Sequence, residues 1–300
     1  MAARSGASGR LIIVGTPIGN LGDLTPRGAQ AFEAADAICC EDTRVTSKLL
    51  AHLGISRPLV RCDENVIASR SPELIDRMLS GDVIAFASDA GMPSVSDPGQ
   101  VLVDAAREAG VGVEVIPGPS ACVTALVASG IPCDHFYFEG FLPRKHGERV
   151  RRLSQLAAIP GALLFYESPH RVAASLEAVA EVFPARQVAL CRELTKLHEE
   201  VLRAQAPQLL EQVRERGELK GEMVLVVAPP SEDELGALAS MAPGVAASAG
   251  AIDVDEALQR DIQDALAQGE SASAIAKRLS QRYSLKKRAV YERVIAAQGL

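Results

Sequence analysis

The segment 88–99 has the residue types and spacing of a ligand-binding loop. It reads Ser-Asp-Ala-Gly-Met-Pro-Ser-Val-Ser-Asp-Pro-Gly and follows the apolar run 82–87, which predicts a buried strand. A helix is predicted over 100–109, with Gly110 as its end. Ligands of open α/β sheets bind at the carboxyl ends of the strands, and this loop is longer than most strand-to-helix turns. We expect it to form part of a binding site, with a rigid surface connection as the alternative.

A second group of residues could transfer protons. Glu167 and His170 follow the predicted strand 162–166 at the head of a predicted helix. A carboxylate and an imidazole in this position could act as an acid-base pair. Glu167 and Ser168 are also ordinary residues for a helix start, so a structural role stays open.

Two clusters of basic residues could bind phosphate groups. The first contains a single acid, Glu148, and the second contains Glu292. Their cations are Arg144, Lys145, Arg149, Arg151 and Arg152 in the first, and Lys277, Arg278, Arg282, Lys286, Lys287, Arg288 and Arg293 in the second. Positive charge concentrated in an acidic chain is the electrostatic pattern of nucleic-acid binding, although a solvated helix face is the commoner explanation of one such run.

The elements that must position these residues alternate between strand and helix. Segments 11–14, 37–40, 57–62, 82–87 and 112–116 are apolar runs followed by helical patterns, which predicts a mostly parallel sheet covered by helices on both faces over 11–130. Further strands are predicted at 136–141, 162–166, 187–191 and 223–227. Residues 231–251 are predicted to form a flexible linker, and three helices follow at about 254–268, 272–281 and 285–297, the last two resembling a helix-turn-helix.

Polar residues also follow two other strands of the first half. The loop after 11–14 contains Gly15, Gly19 and Gly22, a spacing that fits neither the Gly-x-Gly-x-x-Gly dinucleotide motif nor a phosphate loop. Residues 41–44, Glu-Asp-Thr-Arg, follow the next strand. Three polar strand ends in one half of the chain favour the wall of a site over separate structural corners.

Composition limits the classes of protein that fit. The chain has 300 residues, 48% of them hydrophobic and 23% charged, which is typical of a globular protein with a sizeable core. The net charge of −7 argues against nonspecific nucleic-acid binding by the whole surface. The six cysteines lack zinc-site spacing and lie mostly in apolar runs, so we expect buried free thiols and no metal. We also expect no signal peptide and no membrane span, and hence a cytoplasmic protein.

Seven ordered motifs resemble those of the tetrapyrrole methylase superfamily, and specifically its branch of small-subunit ribosomal RNA methyltransferases. The resemblance covers about residues 11–228. The motifs are residues 15–23, 41–44, 88–93 with 97–99, 117–121, 140–145, 166–171 and 192–196.

The resemblance implies a fold, a cofactor and a reaction. The fold would be two α/β domains, 11–118 and 119–230, with the cofactor cleft between them, preceded by a disordered segment 1–10 and followed by the linker 231–251 and a helical RNA-binding tail 252–300. The cofactor would be S-adenosylmethionine. The reaction would be 2'-O-methylation of a cytidine ribose in the decoding region of 16S rRNA, free or in the assembled 30S subunit, by a homodimer.

The resemblance also assigns residues to roles. Cofactor contacts fall on Pro17, Asp89, Ala90, Gly91, Ser120, Ala121 and Leu142. Proton acceptors for the alcohol are sought among Glu167, His170 and Lys145. The RNA would be held by Arg144, Lys145, Arg149, Arg151, Arg152, Lys286, Lys287 and Arg288.

Other functions remain as alternatives. A methyltransferase of the same superfamily that acts on a small tetrapyrrole would explain the loops but not the basic clusters. A noncatalytic RNA-binding protein could hold the cofactor as a structural ligand. A dinucleotide-dependent oxidoreductase is disfavoured by the glycine spacing.

Overall fold

The structure is a computed structural model that describes residues 9–94, 97–241, 254–267, 270–283, 285 and 287–297. It contains two five-stranded sheets in sequence, followed by a group of helices. The two α/β halves and the C-terminal helices agree with the predicted fold class. Among the described residues, no helix is long and apolar enough to cross a membrane.

The first sheet is entirely parallel. Its strands, in the order β3-β2-β4-β1-β5 across the sheet, are β1 (Arg10–Val14), β2 (Ala37–Cys40), β3 (Leu59–Arg61), β4 (Val83–Ala87) and β5 (Gly112–Ile116). Its helices are α1 (Pro26–Ala34), α2 (Thr43–Leu53), α3 (Ile67–Leu79) and α4 (Gly99–Glu108). A short 3-10 turn, Leu21–Asp23, precedes α1.

Alternation along β1 explains why helices cover both faces of this sheet. Leu11 and Ile13 pack in a core with α3 and α4, whereas Ile12 and Val14 pack in a second core with α1 and α2. Successive side chains of a strand point to opposite faces, so a continuous apolar run needs a helix layer on each side. The prediction of a buried parallel sheet for this half is confirmed.

The second sheet is mixed. Its order is β6-β7-β10-β8-β9, and only the pair β6 and β7 is parallel. The strands are β6 (Phe136–Phe141), β7 (Ala162–Glu167), β8 (Gln187–Arg192), β9 (Glu200–Gln205) and β10 (Met223–Val227). The helices are α5 (Ala121–Ser129), α6 (His146–Leu156), α7 (Val172–Val182) and α8 (Ala206–Arg216).

Helices of different origin cover the two faces of the second sheet. α6, α7 and α8 pack against one face around Phe165 and Leu225. α5 follows the last strand of the first sheet but packs on the other face, where Ala125 contacts the core formed by Leu164 and Val226. α5 therefore ties the first half of the chain to the second.

Strand β9 was not predicted from the sequence. It contains Glu200 and Arg203, and its residues are half-buried or exposed because it is an edge strand paired only with β8. Its pattern therefore lacks the continuous apolar run by which the other strands were recognised.

Two predicted irregular segments are partly ordered. Arg10 was assigned to a disordered N-terminus but begins β1, where it pairs with Val83 and Gly112; residues 1–8 lie outside the described residues. The start of the predicted linker is a helix, α9 (Glu232–Met241), and residues 242–253 are outside the described part. Ser231 Oγ accepts the Glu234 N–H at 3.2 Å, and Arg186 forms an ion pair with Glu234 at 2.6 Å, so a cap and a tertiary contact fix this helix.

The C-terminal helices are α10 (Val254–Ala267), α11 (Ala272–Arg282) and α12 (Lys287–Ala297), close to the predicted bounds. They share a small core that includes Leu258, Ile275 and Val290. Tyr283 Oη donates to Asp261 Oδ2 at 2.6 Å, which joins the end of α11 to α10.

Candidate active site

A partly open cavity of about 210 Å³ lies where the loops of the two sheets meet. The residues that line it are Ile18, Ala90, Ala121, Phe141, Tyr166, Glu167, Cys191, Leu194, Glu222, Met223 and Val224. Most of them are apolar, so the cavity suits a ligand with a large apolar part and a few polar groups.

Strand direction explains why such distant segments meet here. β7 and β8 end at the cavity, and β10, which is antiparallel to both, begins there. Met223 pairs with Glu167 on one side and with Arg192 on the other. The start of β10 is therefore held between the ends of its two neighbours.

Three loops of the first sheet are locked together beside the cavity. Gly15 and Gly118 make backbone contact, since a Cβ added at Gly15 would lie 2.6 Å from the Cα of Gly118. Thr16 N–H donates to the Gly91 carbonyl at 2.9 Å, and Ser88 Oγ donates to the same carbonyl at 3.0 Å. The loops after β1, β4 and β5 thus form one rigid unit.

Carboxyl groups gather at the edge of the first sheet next to Ala90. Asp89 Oδ1 accepts the Asp42 N–H at 3.1 Å. Burial raises the pKa of Asp89, and burial together with the nearby Asp97 and Asp89 raises the pKa of Glu41 to about 7. A negative field at this edge favours a cationic ligand group.

Replacing Glu41 by glutamine should change how stability depends on pH. The folded protein keeps the Glu41 proton up to a pKa of about 7, whereas the ordinary pKa of a glutamate is 4.5. Between these two pKa values the folded state therefore binds more protons than the unfolded state. The protonated Glu41 stabilises the fold fully below pH 4.5, and this contribution is lost as the pH rises through about 7. The difference in unfolding free energy between Glu41→Gln and the wild type should therefore favour the variant more at pH 8 than at pH 5. Denaturant unfolding at both pH values measures this difference.

The exposed Glu33 on α1 provides the control for this experiment. Glu33→Gln should shift stability equally at both pH values. An equal shift for Glu41→Gln would contradict the proton assignment.

Glu167, a predicted proton acceptor, lines the cavity but is engaged by its own neighbours. Its side chain is fully buried. Oε2 accepts the Ser175 hydroxyl, Oε1 accepts the Ser168 N–H at 2.9 Å, and Arg171 Nε lies 3.3 Å away. These contacts fix the turn from β7 to α7, so the carboxylate has a structural role whatever else it does.

The other two predicted proton acceptors lie outside the cavity lining. The His170 side chain is 79% exposed and its Nδ1 is 3.5 Å from Glu218 Oε1. The Lys145 side chain is 81% exposed and its Nζ is 3.2 Å from Glu148 Oε1. Neither is brought together with Glu167 at the cavity.

The predicted cofactor residues fall into two groups. Ala90 and Ala121 line the cavity, and Pro17, Asp89, Gly91 and Ser120 are the chain neighbours of lining residues. The Leu142 side chain, in contrast, is buried in the core under α6 and α7. The lining residue at this position is the preceding Phe141, which a register shift in β6 places opposite Tyr166.

Sequence reasoning missed several lining residues. Phe141 and Tyr166 stand at ends of predicted strands, so their position was a usable signal. Burial raises the pKa of the Tyr166 phenol to about 12, so it stays protonated. Glu222 and Met223 gave no such signal, because the direction of β10 could not be known from the sequence.

The segment 193–196 completes the wall from the second sheet. Glu193 and Thr195 have φ values of 52° and 66°, which are costly for residues other than glycine. Lys196 Nζ lies 2.8 Å from Glu193 Oε1 and 3.0 Å from Glu222 Oε2, and its side chain packs on Gly19. These contacts hold the strained segment against the first glycine-rich loop.

The basic cluster 144–152 is smaller at the surface than predicted. Arg149 is buried, and its guanidinium donates to the carbonyls of Pro143, Ala174 and Arg144. The prediction that Arg149 binds RNA was therefore wrong. Arg152 is neutralised by a two-pronged ion pair with Glu139.

Five predicted RNA-binding cations remain exposed. Arg144, Lys145 and Arg151 lie on and before α6, and Lys287 and Arg288 lie on α12. Arg288 Nε is 3.0 Å from Glu292, but its side chain is 92% exposed. Lys286 lies outside the described residues.

Comparison with known proteins identifies the family. A family model described as Tetrapyrrole (Corrin/Porphyrin) Methylases matches residues 10–210. The ribosomal RNA small subunit methyltransferase I of Xylella fastidiosa is 46% identical over 231 residues, which cover 75% of this chain and 84% of that protein. The protein of the same name from Halalkalibacterium halodurans is 45% identical over 219 residues, covering 73% and 75%.

A solved structure supports the same fold. The uroporphyrin-III-C-methyltransferase from Thermus thermophilus matches with a TM-score of 0.51 and 24% identity, over 78% of this chain and 99% of that one. The chain therefore belongs to the tetrapyrrole (corrin/porphyrin) methylase family and, within it, to the group of the ribosomal RNA small subunit methyltransferase I proteins.

Proposed function

We propose that this protein transfers the methyl group of S-adenosylmethionine to the ribose 2'-hydroxyl of a cytidine in the decoding region of small-subunit rRNA. The main support is the identity of up to 46% with proteins named ribosomal RNA small subunit methyltransferase I. Exposed cations at 144, 145 and 151, just beyond the cavity-lining Phe141, are consistent with an RNA substrate.

The residues around the cavity fit this cofactor. Its apolar lining suits the adenosine and the methionine chain. Ala121 stands at the first turn of α5, where free N–H groups favour a carboxylate. The carboxyl groups of Asp89 and Glu222 favour the amino group and the positive sulfur. When bound, the cofactor supplies an electrophilic methyl group.

The protein contributes mainly by orientation. Methyl transfer needs the accepting oxygen in line with the bond that breaks, and alignment of two bound partners can provide much of the acceleration. The rigid unit formed by the loops after β1, β4 and β5 provides one fixed wall, and the start of β10 provides the other. Of the three predicted proton acceptors, Glu167 is the one that lines the cavity.

Exposed and buried arginines of the same cluster should give opposite results. Arg144→Gln and Arg151→Gln each remove a surface cation, so each should weaken the binding of small ribosomal subunits. The slope of log affinity against log salt concentration should become shallower by about 0.7 to 0.9. The free energy of unfolding should change by less than about 0.5 kcal/mol. Arg149→Met leaves buried carbonyls without donors, so it should lower unfolding free energy by roughly 3 kcal/mol without changing that slope. Filter binding at several salt concentrations and urea unfolding measure both.

The opposite pattern would contradict this division. If Arg149→Met changed the salt slope while its stability stayed constant, the buried guanidinium would belong to the RNA surface after all.

The substrate class can be tested directly. The protein should transfer labelled methyl from S-adenosylmethionine to small ribosomal subunits or their free rRNA, and not to precorrin-type tetrapyrroles. Transfer to a tetrapyrrole alone would refute the RNA substrate. Cofactor binding without transfer to any of them would favour a noncatalytic RNA-binding protein.

Two further properties belong to this proposal. We infer a homodimer; exposed Val115, Val123 and Val127 on β5 and α5 are candidates for a buried interface. Light scattering should then give twice the mass of one chain. We also infer that the protein acts in the cytoplasm, where ribosomal subunits are available.

A further inference from the structure

Three aromatic side chains form a connected group at the cavity. Tyr166 lies between the other two, with its ring centroid 4.7 Å from that of Phe138 and 5.8 Å from that of Phe141. Both contacts are edge-to-face, at 64° and 66°. Edge-to-face packing holds aromatic rings in defined orientations, so Tyr166 fixes the position of the Phe141 ring.

A bulge in β6 directs Phe141 to the cavity. Phe138 pairs with Leu164, but Gly140 and not Glu139 pairs with Phe165, so β6 contains one extra residue. Gly140 has φ +78°, a conformation that favours glycine. Without the bulge, Phe141 would face away from Phe138; with it, Phe141 lies opposite Tyr166 on the same face. Bulges that redirect a side chain are frequent beside active sites.

Phe141 is unusual among the aromatic residues of the cavity because it is largely exposed. It is 56% exposed, whereas Tyr166 and Phe138 are both half-buried. A large apolar ring left in water at a cavity mouth is a candidate for ligand contact. Two exposed cations, Arg144 and Lys145, follow it by three and four residues.

We propose that the Phe141 ring is the platform on which the target nucleobase stacks when its ribose is presented to the cavity. This inference rests on the proposed function. A base must leave its stack to bring its ribose into a cleft, and RNA-binding proteins commonly hold such splayed bases on aromatic side chains. The exposed cations Arg144 and Lys145, which follow the ring in the chain, can hold the flanking phosphates.

The position of Phe141 favours the target base over the adenine of the cofactor. Apart from Phe141, the cavity is lined by the apolar side chains of Ile18, Ala90, Ala121, Leu194 and Val224, which provide a site for adenosine without this ring. Phe141 is more than half exposed, and the exposed cations Arg144 and Lys145 follow it closely in the chain. This combination suits an RNA, which carries phosphates, better than it suits the adenine of the cofactor.

Substitutions at this position separate the roles of the ring. Phe141→Leu keeps an apolar side chain but removes the aromatic face, and Phe141→Tyr keeps the face. Phe136→Leu is the matched control, because Phe136 is also exposed on β6, at 48%, but pairs with Ala162 at the far end of the strand. Kinetics with small ribosomal subunits give kcat and KM, and equilibrium dialysis gives the Kd for S-adenosylmethionine.

Phe141→Leu should reduce kcat/KM for small subunits about tenfold or more, in line with the value of base stacking on an aromatic residue. The Kd for S-adenosylmethionine should stay within about twofold of the wild type, Phe141→Tyr should recover most of the loss, and Phe136→Leu should behave as wild type.

Three results would overturn the inference: an unchanged kcat/KM in Phe141→Leu, a loss of cofactor affinity that accounts for its defect, or no recovery in Phe141→Tyr. The second would assign the ring to the cofactor. All three require an active wild type, so inactivity of the wild type on rRNA would instead count against the proposed function.

Discussion

Replacing Gly118 by alanine is expected to abolish cofactor binding at concentrations that saturate the wild type. The added Cβ would lie 2.8 Å from the C, Cα and O atoms of Gly15, and these backbone atoms cannot rotate away. The loops after β1 and β5 must therefore separate, and the first turn of α5 moves with them. A misplacement of about 1 Å at an active site can cost about 100-fold in reaction rate, and overpacking costs about 1 to 3 kcal/mol of unfolding free energy.

The matched control is Gly112→Ala in the adjacent strand β5. A Cβ at Gly112 would meet only Arg10 Cβ, at an ordinary 3.8 Å. This variant should bind S-adenosylmethionine as the wild type does, as measured by calorimetry. Wild-type affinity in Gly118→Ala would show that the contact between the two loops does not shape the site.

Replacing Glu167 by alanine should lower the free energy of unfolding by about 3 kcal/mol. Removing one partner of a buried ion pair typically costs about 3 to 5 kcal/mol, and the lower value is expected because Arg171 keeps 25% exposure. The Ser175 hydroxyl and the Ser168 N–H also lose their acceptor. Urea unfolding followed by circular dichroism measures the change.

Glu167→Gln separates this structural role from proton transfer. Its amide oxygen can still accept the Ser175 hydroxyl, so it should lose less stability than the alanine variant. If Glu167 only positions the β7 end, Glu167→Gln should keep the wild-type pH profile of kcat. A fully stable alanine variant would contradict the structural assignment, and a folded glutamine variant with an altered pH profile would assign proton transfer to the carboxylate.

The first sheet could be predicted because its three inner strands, β2, β4 and β1, are buried on both faces. The run Val83–Ala87 is apolar at every position, as a parallel strand between two helix layers requires. The second sheet was harder to predict from the sequence, because β9 is a charged edge strand and the antiparallel direction of β10 depends on tertiary packing. Local pattern does not determine strand direction.

The candidate site shows the same division. The loop containing Ala90 and the start of α5 were found because strand ends carry ligands in α/β proteins. That Phe141 lines the cavity could not be predicted without knowing the one-residue bulge in β6. That Arg149 is buried could not be predicted without knowing which face of α6 packs on the core. A basic residue in the sequence does not reveal whether carbonyl groups or solvent surround it.

The proposed methyl transfer is tested most directly by the chemical position of the methyl group in the product. Unmethylated small ribosomal subunits would be incubated with the protein and S-adenosylmethionine, and their rRNA digested to nucleosides for mass spectrometry. We expect 2'-O-methylcytidine with the wild type and Gly112→Ala, and none with Gly118→Ala. A methyl group on a base, or no methylated nucleoside with an enzyme that binds the cofactor, would contradict the proposed methyl transfer.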